Sequence, residues 1–301
     1  MTMDEITFGT EGPAYINDEF ARSPEAAYDY LSNASFSHAR YPETVGILSD
    51  VLDDVMQAVN RPLYEIAQAL EGADHTQVMS DDIFRFVAAV YTGEVEAGNT
   101  VAAFFLARLH YYEHFGHTSK KQAVRCLETA VADNVGAAYF LLSKCLLEGE
   151  GTEPDPERAF HLLVTRALLA DDAGACYLLG DMYAEGIFVT QNAITSSGLY
   201  SRAWDICNEQ RDAIISADVL LRLARVRLET PFELTEDDSP YRAAQFFYQQ
   251  AELYCYDQLD LQFPDAPRKL EEARAGQEQA RQKLVRWRAL KAEEDTVWGE
   301  P

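Results

Sequence analysis

The sequence predicts an all-α fold, an α-solenoid of antiparallel helix pairs followed by a separate C-terminal helix. Three observations point to it. A short motif returns at a near-constant spacing, the period-two alternation of β-branched residues that marks strands is absent, and the last stretch of the chain changes to a heptad pattern.

The motif is Ala-x-x-x-Leu-small. It occurs as Ala102-Ala-Phe-Phe-Leu-Ala107, Ala138-Tyr-Phe-Leu-Leu-Ser143 and Ala175-Cys-Tyr-Leu-Leu-Gly180, so the closing small residue steps by 36 from Ala107 to Ser143 and by 37 from Ser143 to Gly180. Apolar residues three and four apart make each segment one face of a helix, and the small residue lets a neighbouring backbone approach closely. A second helix follows each first one. After Gly149-Glu-Gly151, Asp155 is an N-cap with Pro156 at the first helical position, and Ala159, Leu162, Leu163 and Ala167 form a stripe. The same arrangement recurs at Ala123, Cys126, Leu127 and Ala130, and at Ala243, Phe246, Phe247 and Ala251. In the third copy the second helix should start near Gln191, yet Thr195-Ser-Ser-Gly198 is a poor helix interior and reads as a loop.

Residues 1–96 show no repeat consensus but read as helices, either a cap or divergent repeats. Ser23-Pro24-Glu25 is a helix start; Leu48, Val51, Leu52, Val55 and Val59 share a face; Ser80-Asp81-Asp82 caps a helix through about Tyr91. Residues 97–255 hold about four helix pairs. Residues 264–301 make a basic helix and an acidic tail. Within it Leu270, Ala273, Gln277, Ala280, Leu284 and Trp287 alternate steps of three and four, a seam that would cap the last repeat or pair with a second copy. Bases outnumber acids from Arg268 to Lys291, whereas the whole chain has a net charge of -25.

That charge repels a phosphate backbone, which argues against nucleic acid as a partner. The first dozen residues have no basic and apolar leader, and no apolar run approaches the ~20 residues of a membrane span, so the expected location is cytoplasmic and no membrane partner is expected. Cys126, Cys145, Cys176, Cys207 and Cys255 are widely spaced and sit at helical spacing among apolar residues, as free, packed thiols. Motifs for hydrolases, zinc proteases, phosphate loops and dinucleotide binding are absent, and the chain reads as no enzyme, with no cofactor. His110 and His114 lie one turn apart with His117 beyond them, the one pattern suited to zinc or to a metal-dependent binder. His110 falls on a packing position and no Cys or Asp stands close by, so the reading is a packing histidine with no metal.

The run Ala-x-x-x-Leu-Gly-x-x-Tyr-x-x-Gly from Ala175 to Gly186 is similar to the Sel1-like repeat family, relatives of the tetratricopeptide repeats. The resemblance covers about residues 100 to 255, with the best copies from Val135 to Asp172 and from Ala173 to about Asp212. The first copy departs from it at His110, where the family prefers Tyr, and Leu223-Ala224 opens a degenerate fourth. A family widespread in bacteria suits a bacterial origin. The resemblance implies a groove lined two residues before and two after each repeat Leu: Phe104 with Arg108, Phe140 with Lys144, Tyr177 with Asp181, and Leu221 with Arg225. Three of these four charges are basic. The expected function is a non-catalytic adaptor or scaffold binding a protein or peptide with acidic groups, as a monomer or weak homodimer, with the basic C-terminal helix kept out of that part of the groove. Self-assembly through the C-terminal heptads is the alternative.

Overall fold

A computed structural model describes residues 22–34, 42–57, 61–72, 79–112, 118–210, 213–231, 237–260 and 265–298. Among them are thirteen α-helices and no strand. They fall into two compact units, Met1–Ala138 with Glu150–Thr152, and Tyr139–Gly149 with Glu153–Pro301.

The first unit contains α1 (Pro24–Ser32), α2 (Pro42–Met56), α3 (Leu63–Gly72), α4 (Asp81–Glu96), α5 (Thr100–Tyr111) and α6 (Lys120–Ala132). Starts read from capping residues are where expected: Ser23 Oγ accepts the Ala26 N–H at 3.2 Å and Ser80 Oγ the Ile83 N–H at 3.4 Å. The Ser80 helix outruns its expected end by five residues, to Glu96. Of the α2 face, Leu48 and Val51 are buried and Leu52 and Val55 half-buried; Val59 lies outside the described residues. Helices adjacent in sequence pack on one another around Phe84, Phe86, Tyr91, Leu109 and Leu127. His110 is buried with its ring edge-on to Phe84 at 5.7 Å, a packing role; His114 and His117 lie outside the described residues. No group of metal-binding side chains occurs among the described residues.

The second unit takes α7 (Gly136–Glu148) from Tyr139 onward, then α8 (Pro156–Leu169), α9 (Ala173–Glu185), α10 (Ala193–Gln210), α11 (Ala213–Leu228), α12 (Ser239–Asp260) and α13 (Ala266–Trp298). Asp155 caps α8 by accepting the Arg158 N–H at 3.0 Å, with Pro156 at the first helical position. The expected loop at Thr195–Gly198 is helix instead. Asn192 Oδ1 accepts the N–H groups of Ile194 and Thr195 at 3.1 and 3.0 Å, so these poor helix formers occupy the opening turns. Ser196 and Ser201 hydroxyls bond back to the carbonyls of Ala193 and Ser197. A strong start compensates for weak propensity there.

Two faces differ from expectation. On α12 the buried stripe is Ala244, Tyr248, Ala251 and Cys255, one residue out of step at its start, and Phe246 is exposed. The helix is held between α11 and α13, so its buried face looks toward both. On α13 the buried residues are Ala266, Lys269, Ala273, Gly276, Ala280 and Leu284, while Gln277, Leu270 and Trp287 are only half-buried. This seam is occupied by α11 and α12 of the same chain, as a cap would be, and pairing with a second copy through it would first require α13 to leave. A Cβ on Gly276 would come within 2.3 Å of the Tyr248 ring, so the helix approaches because that side chain is missing.

All five cysteines are free and buried. Burial pushes the Cys126 thiol up to about 12 and those of Cys176 and Cys255 up to about 11. Among the described residues, no helix is long and apolar enough to cross a membrane.

The turn after the first helix of a pair shows how local sequence is matched to packing. Gly149 and Gly151 have φ of 72° and 74°, and a Cβ on Gly151 would sit 2.3 Å from the Lys120 carbonyl carbon. Thirty-seven residues later Gly186 has φ 75°, but the second position is Phe188, at φ 63°. A side chain in that left-handed region costs about 1–2 kcal/mol.

Gly180 is a tight contact of the repeat consensus: a Cβ there would meet the buried Tyr200 ring at 2.5 Å. Gly180→Leu should therefore overpack α9 against α10 and cost ~1–3 kcal/mol, read as a lower urea midpoint. Trp287→Ala should cost less than the ~3 kcal/mol of a fully buried ring, because Trp287 is half in solvent.

Candidate interaction surface

The first helices of the pairs, α5, α7, α9 and α11, carry the residues expected to line a groove. In the first unit Phe104 is half-buried, tilted against Phe105 at 5.7 Å. Arg108 is partly exposed, its Nε 3.5 Å from Glu71 Oε1 of α3. Glu71 is itself buried and accepts the Tyr91 hydroxyl at 2.6 Å. Burial raises its pKa, against the pull of Arg108 and the Tyr91 hydrogen bond. Arg108 thus faces an acid of its own unit.

In the second unit, the Phe140 ring covers Gly174, where a Cβ would come within 2.7 Å, and stands edge-on to Tyr177 at 5.6 Å. Tyr177 and Leu221 are buried, so they support the surface instead of forming it. Above Tyr177, 4.4 Å from its centroid, lies the guanidinium of Arg222. Arg222 Nε and Nη2 donate to both oxygens of Asp181 at 2.5–2.8 Å, and the Tyr200 hydroxyl donates to Asp181 Oδ1 at 2.8 Å. Burial works to lower the Arg222 pKa, but hydrogen bonds to Asp181 and its charge outweigh this and raise it. Burial, then the same carboxylate, pushes the Tyr200 hydroxyl up. Sequence reasoning missed Arg222, which stands one residue before the repeat Leu223. The available signal was Asp181 itself, the one acid in an otherwise basic row and in need of a partner.

The start of α13 meets this row. Lys269, buried, donates to Asp218 of α11 at 2.6 Å, to Asp265 at 2.9 Å and to Gln258 of α12 at 3.3 Å. Burial works to raise the Asp265 pKa; Lys269, and more weakly the charge of Lys144, hold it below the usual carboxylate range. Arg225 donates through Nε and Nη2 to Glu272 of α13 at 2.8 and 2.5 Å. The expectation that α13 would be kept away from Lys144 and Arg225 is therefore corrected. Its basic excess lies in the later turns, whereas Asp265 stands just before the helix and Glu272 in its second turn, paired with Arg225. Later bases find other acids: Arg274 bonds Glu252, and Arg288 bonds Asp238.

Residues 100–134, 136–164 and 173–203 each match the Sel1 repeat, and they correspond to the pairs α5–α6, α7–α8 and α9–α10. The middle of the chain is thus similar to three consecutive Sel1 repeats. The α11–α12 pair continues them outside the matched residues. Among solved structures, a Sel1 repeat protein from Oxalobacter formigenes is 16% identical, with TM-score 0.47 over 77% of this chain and 96% of that one. A second is c5321, described as a protective antigen of uropathogenic Escherichia coli strains displaying an SLR fold, 19% identical, with TM-score 0.41. The match covers 85% of this chain, which spans 44% of c5321. No curated protein matches the chain.

Within each unit, charged residues of the first helices are held in ion pairs of their own, Arg108 with Glu71 in the first and Asp181 with Arg222 and Arg225 with Glu272 in the second. Arg222→Met should cost about 2 kcal/mol, since it strips the half-buried Asp181 of charged hydrogen bonds; adding Asp181→Leu should recover part of the loss. Asp265 has a lowered pKa when folded, so its contribution to holding α13 is present above the ordinary carboxylate range and lost as pH falls through the lowered value. Protection factors across α13, corrected for the intrinsic pH dependence of exchange, should fall in that acidic window, and Asp265→Asn should reduce this fall, with Glu252 keeping its own share.

Proposed function

We propose that this chain is a non-catalytic adaptor of the cytoplasm that binds another protein on the first helices α7, α9 and α11 of its second unit. The observation that carries the reading is the match of three consecutive helix pairs to the Sel1 repeat, a class that generally mediates protein–protein interaction. Sel1-repeat proteins are generally scaffolds, which supports a binding role over a catalytic one. Arg225 is paired with Glu272, so an acidic partner would have to exchange with α13 to reach it. We read the half-buried Phe140, Leu147 and Ala184 of α7 and α9 as the contact surface, with the charges setting its rim.

A photo-crosslinking residue placed at Ala184, compared with one at the exposed Glu209 on α10, tests this in the native organism. A discrete protein adduct from Ala184 alone is the expected outcome. Adducts of equal yield from both positions, or none from Ala184, would reject the first-helix row as the binding face.

A further inference from the structure

Phe188 occupies the turn position that is Gly151 one repeat earlier and keeps the left-handed backbone that glycine suits, at φ 63° against 74°. Its neighbours Ile187 and Val189 pack against the core, yet Phe188 is 51% exposed. The ring does not stand alone. Phe160 of α8 lies 5.5 Å from it and 6.3 Å from Tyr183 of α9, and the exposed His161 ring lies 6.4 Å from it. At the Gly151 turn the chain runs against the Lys120 backbone and a side chain is excluded; at the Phe188 turn an aromatic fills the place and faces solvent. Folding alone does not account for an aromatic in a glycine conformation that leaves half its surface in water.

The exposed charges next to these rings along the chain are mostly acidic. Glu157 is exposed one turn before His161 on the same helix, Glu153 and Asp155 are exposed just ahead of α8, and Glu185 is exposed three residues before Phe188; Arg158 is the base among them. We infer that the Phe160, His161, Tyr183 and Phe188 cluster is a second docking surface, taking a protein segment with an apolar anchor flanked by lysines and arginines. The anchor packs on the rings, where buried aromatics concentrate binding energy, and the basic flanks meet the acidic rim, which steers the approach. Tyr183 shares α9 with the first-helix row but lies about 100° round the helix from Ala184, so the two surfaces use different sides of that helix and neither proposal depends on the other.

Phe188→Gly tests the idea because it restores the residue the backbone favours while removing the ring. The probe is a fluorescein-labelled peptide with a central Leu-Trp flanked by lysines and arginines, with one control flanked by glutamates and another with Ser-Ser at the centre. Fluorescence anisotropy should show binding of the first peptide only, weakened about tenfold or more by Phe188→Gly. Glu157→Lys with Glu185→Lys should weaken it as well and reduce its salt dependence. The denaturation midpoint of Phe188→Gly should be equal to or above that of the parent. No binding of the first peptide, equal binding of all three, or binding unchanged by Phe188→Gly overturns the proposal, as does a clear fall in the midpoint, which would make the ring a core element. Self-association of the parent, lost in Phe188→Gly, would assign the surface to a second copy and also overturn it. Crosslinking from Ala184 should be unaffected by Phe188→Gly, so failure here and failure of the first-helix row are told apart.

Discussion

The second unit depends on one close approach, that of the Tyr200 ring to the bare backbone of Gly180. Because α9 has no side chain there, α10 comes near enough for the Tyr200 hydroxyl to reach Asp181. With one lone pair of Asp181 so occupied, its two oxygens are oriented to take the fork of Arg222, and the guanidinium plane then lies over Tyr177. Three helices are thereby tied through a single carboxylate. Each member is costly by itself: a half-buried acid, a half-buried guanidinium and a buried phenol need one another to avoid the penalty of an unmet polar group. A small residue in a repeat consensus thus does more than relieve crowding, since it sets the distance at which polar partners can meet.

The same principle explains how much was legible in advance. Helix pairs follow from Ala and Gly at fixed spacing and from caps such as Ser23, Ser80 and Asp155, which are local signals carried by adjacent residues. What sequence spacing could not specify was which face of a helix meets two neighbours at once. On α12 the expected stripe through Phe246 gave way to Ala244, Tyr248 and Cys255, because α13 packs on this helix as well as α11 does. Thr195–Gly198 was misread for the opposite reason: propensity was judged as if the segment were interior, when Asn192 places it in the first turns. Of the eight residues projected onto a groove, Tyr177 and Leu221 are buried, Arg108 and Arg225 face acids of their own chain, and the charge of Lys144 reaches Asp265. Spacing gives the helix position of a side chain but not what a distant segment brings to it.

Charge illustrates that limit. A net count describes α13 as a basic helix in an acidic protein, and a uniform basic rod would avoid other bases. Order along the helix reverses the conclusion at its start. Glu272 meets Arg225, and Asp265, seven residues earlier and so on nearly the same face, lies within reach of the charge of Lys144, while Lys269 is drawn between Asp218 and Asp265. Only the later turns behave as the net charge suggests, with Arg288 against Asp238. Interactions fall off over a Debye length of ~8–10 Å, about the length of two helical turns, so sign must be read at that scale and not over the whole helix.

A solenoid also makes departures from its own consensus informative. Since each repeat contacts only its neighbours, a change in one turn is contained there and need not be compensated across the molecule. Gly151 and Phe188 hold equivalent places and nearly equal φ, yet only Gly151 has a backbone close enough to forbid a side chain. Steric exclusion therefore accounts for the glycine, but relief of that exclusion accounts only for tolerance of another residue. It does not select the aromatic, whose half-exposed ring burdens a left-handed backbone and returns contact with Phe160 and His161. The exposed half of the ring is what the proposed docking surface uses, since a glycine or asparagine would satisfy the turn itself at lower cost.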